Sequence, residues 1–238
     1  MIPEDKIQEF VRRVREAAGT NLESVILYGS AASGEFDAEF SNINLFCVLR
    51  DSSFDALSAL APVMKWWIEQ KQPAPLLMTR AELNATTDVF TIELLDMQQS
   101  HRVLFGEDVL QGLPVPMRFH RVQVEYELRE KLVLLRQRAV IVAGDDKRLW
   151  ELLTRSAPSF VTLFRHALIA LGESATGKRE TVDRLSKRVG FDPAAIYQVL
   201  DVREHKLPPK SVDVKALFAR YLAAVEKVTA AVDQALDS

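Results

Sequence analysis

The stretch that most constrains this chain is Val25 to Arg50, VILYGSAASGEFDAEFSNINLFCVLR. Val25 to Tyr28 reads as a buried strand, followed by Gly29-Ser30, a small-residue turn ending at Gly34, and a polar connection to Ser41. A second strand is predicted from Asn42 to Leu49. Strand, Gly-Ser, short helical turn and strand is an arrangement that brings backbone N–H groups up to a phosphate. Glycine removes the Cβ that would block approach, and the first turn of a helix offers unpaired donors at a positive dipole end.

In the second strand Ile43, Leu45, Cys47 and Leu49 point one way and Phe46 and Val48 the other, because strand side chains alternate. Burial on both faces predicts a central position in a sheet. Asn42 and Asn44 are expected on the Phe46 face, at its polar end. Asparagine is depleted in strands, so two of them there require a reason. They either cap a turn by bonding to neighbouring backbone or line a ligand cleft.

Gly29-Ser30, then Ser41-Asn42-Ile43-Asn44-Leu45, closely resembles the signature of the polymerase-beta-like nucleotidyltransferase superfamily. That signature is a Gly-Ser followed by Asp-hydrophobic-Asp at the head of the next strand. The resemblance implies an α/β (α+β) fold with a small mixed sheet, and a nucleoside triphosphate contacted by Gly29 and Ser30. In the family two aspartates hold Mg²⁺ and a third carboxylate sits on a later strand. Here Asn42 and Asn44 stand at the aspartate positions, and the third predicted strand, Pro73 to Thr79, contains no acid. Magnesium is a hard cation that favours anionic oxygen, and nucleotidyl transfer uses metal ions to activate the attacking hydroxyl and shield the triphosphate. The resemblance therefore implies the family's frame without its metal ligands: nucleotide or phosphate binding at Gly29, Ser30, Asn42 and Asn44, with catalysis impaired. One alternative is an active transferase that holds Mg²⁺ with other acids, drawn from Glu35, Asp37, Glu39, Asp51, Asp88, Glu93 or Asp96. A second is a protein that works by contact, its cleft vestigial and its helical half meeting a protein partner.

The remaining elements follow from periodicity. Ile7, Phe10, Val11 and Val14 recur at helical spacing, predicting a helix from Pro3 to Ala18 stopped by Gly19. A helix is predicted over Phe54 to Ile68, with Phe54, Leu57, Leu60, Met64, Trp67 and Ile68 inward and a kink or restart at Pro62. Adjacent Trp66 and Trp67 point about 100° apart, so one belongs in the core and the other is half exposed. A turn of helix starts at Ala81, and a longer one covers Thr87 to Ser100 with Val89, Ile92, Leu95 and Met97 inward. His101 to Gly106 leads out of it, and its Val-Leu-aromatic-Gly ending also looks like the close of a bacterial nucleotidyltransferase domain. Leu113-Pro114-Val115-Pro116 cannot be helical and reads as a linker. The expected division is 1–112 as the nucleotidyltransferase-like domain, 113–118 as linker and 119–238 as an all-helical bundle. The bundle's helices are predicted at 119–143, 147–172 with a break near Pro158, 179–189, 193–200 and 212–236. Short connections imply antiparallel packing. Arg118, Arg121, Arg129, Arg136 and Arg138 lie at or along the first of these helices, where they form a solvated face or assist a bound phosphate.

Composition excludes more than it assigns. A formal net charge of −3 over 238 residues leaves no footprint for double-stranded nucleic acid. A single cysteine, Cys47, rules out an intrachain disulfide and fits a reducing, cytoplasmic setting. The acidic start MIPEDKIQEF has no signal-peptide pattern, and no apolar run approaches the ~18–20 residues of a membrane span. Gly172 to Lys178 imitates a phosphate loop, but Arg179 stands where Ser or Thr would hold Mg²⁺, and a helix precedes it rather than a strand. No histidine follows an arginine at the spacing of HEPN-type ribonucleases, and four scattered histidines offer no zinc site.

Overall fold

A computed structural model describes residues 3–235. The chain divides into two compact units, Met1–Pro116 and Met117–Ser238.

The first unit is built on a four-stranded mixed sheet of β1 (Leu22–Tyr28), β2 (Asn44–Leu49), β3 (Leu76–Thr79) and β4 (His101–Gly106), in the order β3-β2-β1-β4. β1 is antiparallel to both β2 and β4, whereas β3 runs parallel to β2. Each face is covered. On one side α1 (Glu4–Ala18) contributes Ile7, Phe10, Val11 and Val14 to a core with Val25, Leu27, Ile43, Leu45, Cys47 and Leu49. Trp67 joins that core from α3 (Ala61–Glu69), its ring centroid 4.8 Å from that of Phe10 and its indole N–H donating to the Pro73 carbonyl at 3.0 Å. The buried Trp is thus satisfied at its polar end. On the other side Ile26, Phe46 and Val48 meet Leu83 of α4 (Arg80–Ala85) and Leu94 and Met97 of α5 (Thr91–Gln99). The two-faced burial read from β2 is what a central strand requires. Burial pushes the Cys47 thiol up to about 12, so this sulfur is a small buried hydrophobe rather than a nucleophile.

The differences from the periodicity reading have local causes. The predicted helix at 54–68 is two helices, α2 (Phe54–Ala59) and α3, broken at Leu60, with Pro62 in the first turn of the second. The restart resets the helical phase, so Phe54 and Ile68 are exposed and Val63 is buried instead. The helix predicted from Thr87 begins only at Thr91, which leaves Val89 exposed and buries Leu94 rather than Leu95. His101 to Gly106 is the edge strand β4, not an exit segment.

The second unit is helical: α6 (His120–Val142), α7 (Asp146–Ala170), α8 (Lys178–Val189), α9 (Ala194–Arg203) and α10 (Val214–Gln234). The predicted end of the last helix, Leu236, lies outside the described residues. α7 packs against all four of the others. Its stripe of Phe160, Leu163, Phe164, Ala167 and Leu168 is buried, and Phe160 meets Tyr221 of α10 edge-on at 5.9 Å.

Pro158 does not break α7. A proline in a helix removes the N–H that would bond four residues back, which here orphans the Thr154 carbonyl. The Arg203 guanidinium, brought in on α9, donates to that carbonyl. Arg203→Ala is expected to lower stability by about 1–3 kcal/mol through the unsatisfied acceptor. Pro158→Ala restores the missing N–H, so in a denaturant double-mutant cycle it should remove part of that loss. Independent, additive effects would refute this role for Arg203.

Candidate functional site

At the end of β1 the chain turns sharply. Gly29 has φ +73, a left-handed conformation that favours glycine, and Gly29–Ala31 forms a single 3-10 turn. The Gly29 carbonyl accepts from Ala32 N–H at 2.9 Å and Ser33 N–H at 3.0 Å, and the Ser30 carbonyl accepts from Glu35 N–H at 3.1 Å. These bonds use acceptors, while the first N–H groups of a helical turn have no partner within it.

Asn44 is brought against this turn. It opens β2, pairs with Tyr28 across the ladder, and a Cβ added at Gly29 would lie 3.0 Å from its Nδ2. The glycine thus has two local reasons: its dihedral, and the carboxamide seated over it. Asn42 is placed differently from the sequence expectation. The strand starts at Asn44, so Asn42 is exposed in the connection before it. The cause is the Ile43 N–H, which donates to Gln72 Oε1 at 2.8 Å. The Ser30 hydroxyl and the carboxamides of Asn42 and Asn44 make no side-chain hydrogen bond to any described residue.

Three side chains form a row across the sheet here: Asn44, Tyr28 and His101 are successive partners on β2, β1 and β4. His101 is fixed by Nδ1 at 2.8 Å from the Met97 carbonyl and by Nε2 at 3.0 Å from the Asp108 carboxylate. Burial alone would raise the Asp108 carboxyl, but the His101 contact and the Leu110 and Gln111 N–H groups hold it below its ordinary range. Burial, and then the Glu93 carboxylate of α5, push the Tyr28 phenol above its ordinary value. Gln72, Tyr28 and His101 were not assigned to this site from the sequence, whereas Glu93 was named there only as an alternative metal ligand. Only the row could have been anticipated, because strand pairing at 28 and 44 would have put Tyr28 beside Asn44.

The acids considered from the sequence as alternative metal ligands form no group of three among the described residues. The Asp37 carboxylate accepts from the N–H groups of Glu39 (2.8 Å) and Phe40 (3.0 Å), shaping the connection that leads to Ser41. Asp51 lies past the opposite end of β2 from Asn44, roughly 20 Å away at ~3.3 Å per residue, where it accepts from Ser53 N–H and Oγ. Glu93 is the acid whose charge reaches Tyr28. Among the described residues no three His, Cys, Asp or Glu side chains converge to hold a metal ion. Three of the five arginines read at or along the first bundle helix have partners inside the bundle. Arg129 pairs with Glu125 and Asp233, Arg136 with Glu226, and Arg121 donates to the Val232 carbonyl.

A mixed four-stranded sheet covered on both faces, followed in the chain by a helical region, makes this an α+β architecture. Its fold is similar to that of the spectinomycin adenyltransferase AAD(9) from Enterococcus faecialis, whose structure was solved with ATP and spectinomycin. The likeness spans 92% of this chain and 99% of that one, with a TM-score of 0.55 at 12% identity. No protein-family model matches the sequence, and no curated protein matches it. Among the described residues no helix is long and apolar enough to cross a membrane.

Proposed function

We propose that this chain is a nucleotidyltransferase-fold protein that binds a nucleoside triphosphate through its phosphates at Gly29-Ser30, with Asn44 and Asn42 as neutral donors, and that it is impaired as a transferase. The observation that carries this reading is the Asn44 carboxamide seated over Gly29, beside a helical turn whose leading N–H groups have no partner within the turn. A carboxamide presents an NH₂ to a phosphate oxygen, where a carboxylate would repel it unless a cation intervened. The same chemistry argues against a magnesium pair. Two amide oxygens lack the charges that offset the dehydration of Mg²⁺, and no three His, Cys, Asp or Glu side chains among the described residues gather to supply them. Similarity to a fold that holds ATP in another protein supports the nucleotide as the class of ligand.

The test is calorimetry of ATP with the full chain, in excess Mg²⁺ and again in a chelator, alongside an assay for pyrophosphate release with hydroxyl acceptors. Binding of similar strength in both buffers, without release, is the expected result. Magnesium-dependent release would establish an active transferase, and absence of binding in both buffers would leave the cleft vestigial.

A further inference from the structure

The helical unit contains a groove of its own, about 570 Å³, between the last three turns of α6 and the first four turns of α7. Its geometry follows from sequence spacing. Lys131, Leu135, Arg138 and Val142 repeat at helical intervals along one face of α6, and Arg148, Leu152, Arg155 and Ser159 do the same along α7. The turn at 143–145 reverses the chain between the two helices. The floor is apolar: Leu135, Leu152 and Phe160 are buried there, while Leu134 and Ile141 leave exposed apolar surface at the rim.

The rim is cationic, and three of its four cations lack an acidic partner among the described residues. Several arginines elsewhere in the unit are matched to acids, as Arg129 is to Asp233, Arg136 to Glu226 and Arg179 to Asp201 and Glu204. Arg138, Arg148 and Arg155 have no acid within salt-bridge distance among the described residues. Lys131 is held by Glu127, and Glu151 is the groove's one lining carboxylate. Four cations against one acid in a chain of net charge −3 is a local reversal of sign. Like charges gathered around a desolvated floor repel one another, and a ligand that supplies the missing anion relieves that repulsion. Guanidinium groups match carboxylates and phosphates in a two-pronged geometry.

We propose that this groove binds a small amphipathic acid. Its apolar body lies on Leu135, Leu152 and Phe160, and its carboxylate, sulfonate or phosphate head is held by Arg138, Arg148 and Arg155. The volume is that of a pocket for a small organic molecule. The site is independent of Gly29-Ser30 and of the function proposed for it.

The probe is anilinonaphthalene sulfonate, titrated by fluorescence into the full chain. Saturable binding that weakens with added salt is expected, together with a loss of about tenfold or more in affinity in the double variant Arg138→Glu/Arg155→Glu. The milder Arg138→Gln/Arg155→Gln pair should move affinity in the same direction by less, and it serves if charge reversal disturbs folding. Lys187→Glu, on α8 and outside the groove, should change affinity by less than about twofold. The anilinonaphthalene body without its sulfonate should bind far more weakly. Absence of binding, equal binding by the neutral compound, or an affinity untouched by both arginine pairs would each overturn the proposal.

Discussion

Gly106→Ala is expected to unfold the sheet unit or bring it close to unfolding, a loss of about 3–6 kcal/mol from combined backbone strain and steric overlap. Gly106 ends β4 with φ +76, and a Cβ built there would sit 1.9 Å from the Glu23 carbonyl oxygen and 2.9 Å from its carbon. Both neighbours are backbone, so no side chain can swing aside. The contact is held closed from several directions. Gly106 pairs with Ser24, whose fully buried hydroxyl donates to the Phe105 and Glu107 carbonyls. Arg80 meanwhile ties Glu23 to Glu107. Register also shifts between Val25 and Ile26 along this edge, an irregularity that brings the two chains together. Gly112 is the control. It has φ +73, yet nothing lies within 4 Å of its added Cβ, so Gly112→Ala should incur only the left-handed strain, about 1–2 kcal/mol. Denaturant unfolding of both variants separates the terms. Equal losses at the two positions would show that close approach at Gly106 contributes nothing.

What the sequence revealed and what it hid divide along physical lines. Ile7, Phe10, Val11 and Val14 could be read because a helix with one dry face prints its period directly, and all four are buried. β2 could be read because burial on both faces leaves an unbroken apolar run. β4 was hidden, since HRVLFG is short, follows a helix without a turn signal, and becomes a strand only by pairing with β1. Phe54, Ile68 and Val89 were misplaced for a shared reason: periodicity gives relative phase, and a helix that restarts at Leu60 or begins late at Thr91 changes which residues face inward. Pro158 was misread because the remedy for its lost hydrogen bond, Arg203, lies in another helix. At the candidate site Gly29 and Asn44 were legible from the spacing of one motif. Gln72, which ends the reach of β2 by taking the Ile43 N–H, came from a loop with no signal of its own.

Replacing Asn44 with aspartate should invert the metal dependence of nucleotide binding, and this is the sharpest consequence of the function proposed above. In chelator, Asn44→Asp places a carboxylate over Gly29 where the amide Nδ2 now sits. Unit charges about 4 Å apart repel by about 1 kcal/mol in water and about 4 kcal/mol at an effective dielectric of 20. Asn44 is half-buried, so the lower part of that range applies, and a loss of about tenfold in ATP affinity is expected. Adding Asn42→Asp should deepen the loss without metal by less, because Asn42 is exposed. Magnesium should then recover affinity in the double variant, since two carboxylates now offer the anionic oxygens the ion favours, with Glu93 already near enough to act on Tyr28. The natural chain should show no such response, binding ATP alike with and without chelator. Calorimetry on the three proteins in both buffers decides the matter. A natural chain that needs magnesium, or an Asn44→Asp variant that binds as well as its parent in chelator, would show that the phosphates are not held at Asn44.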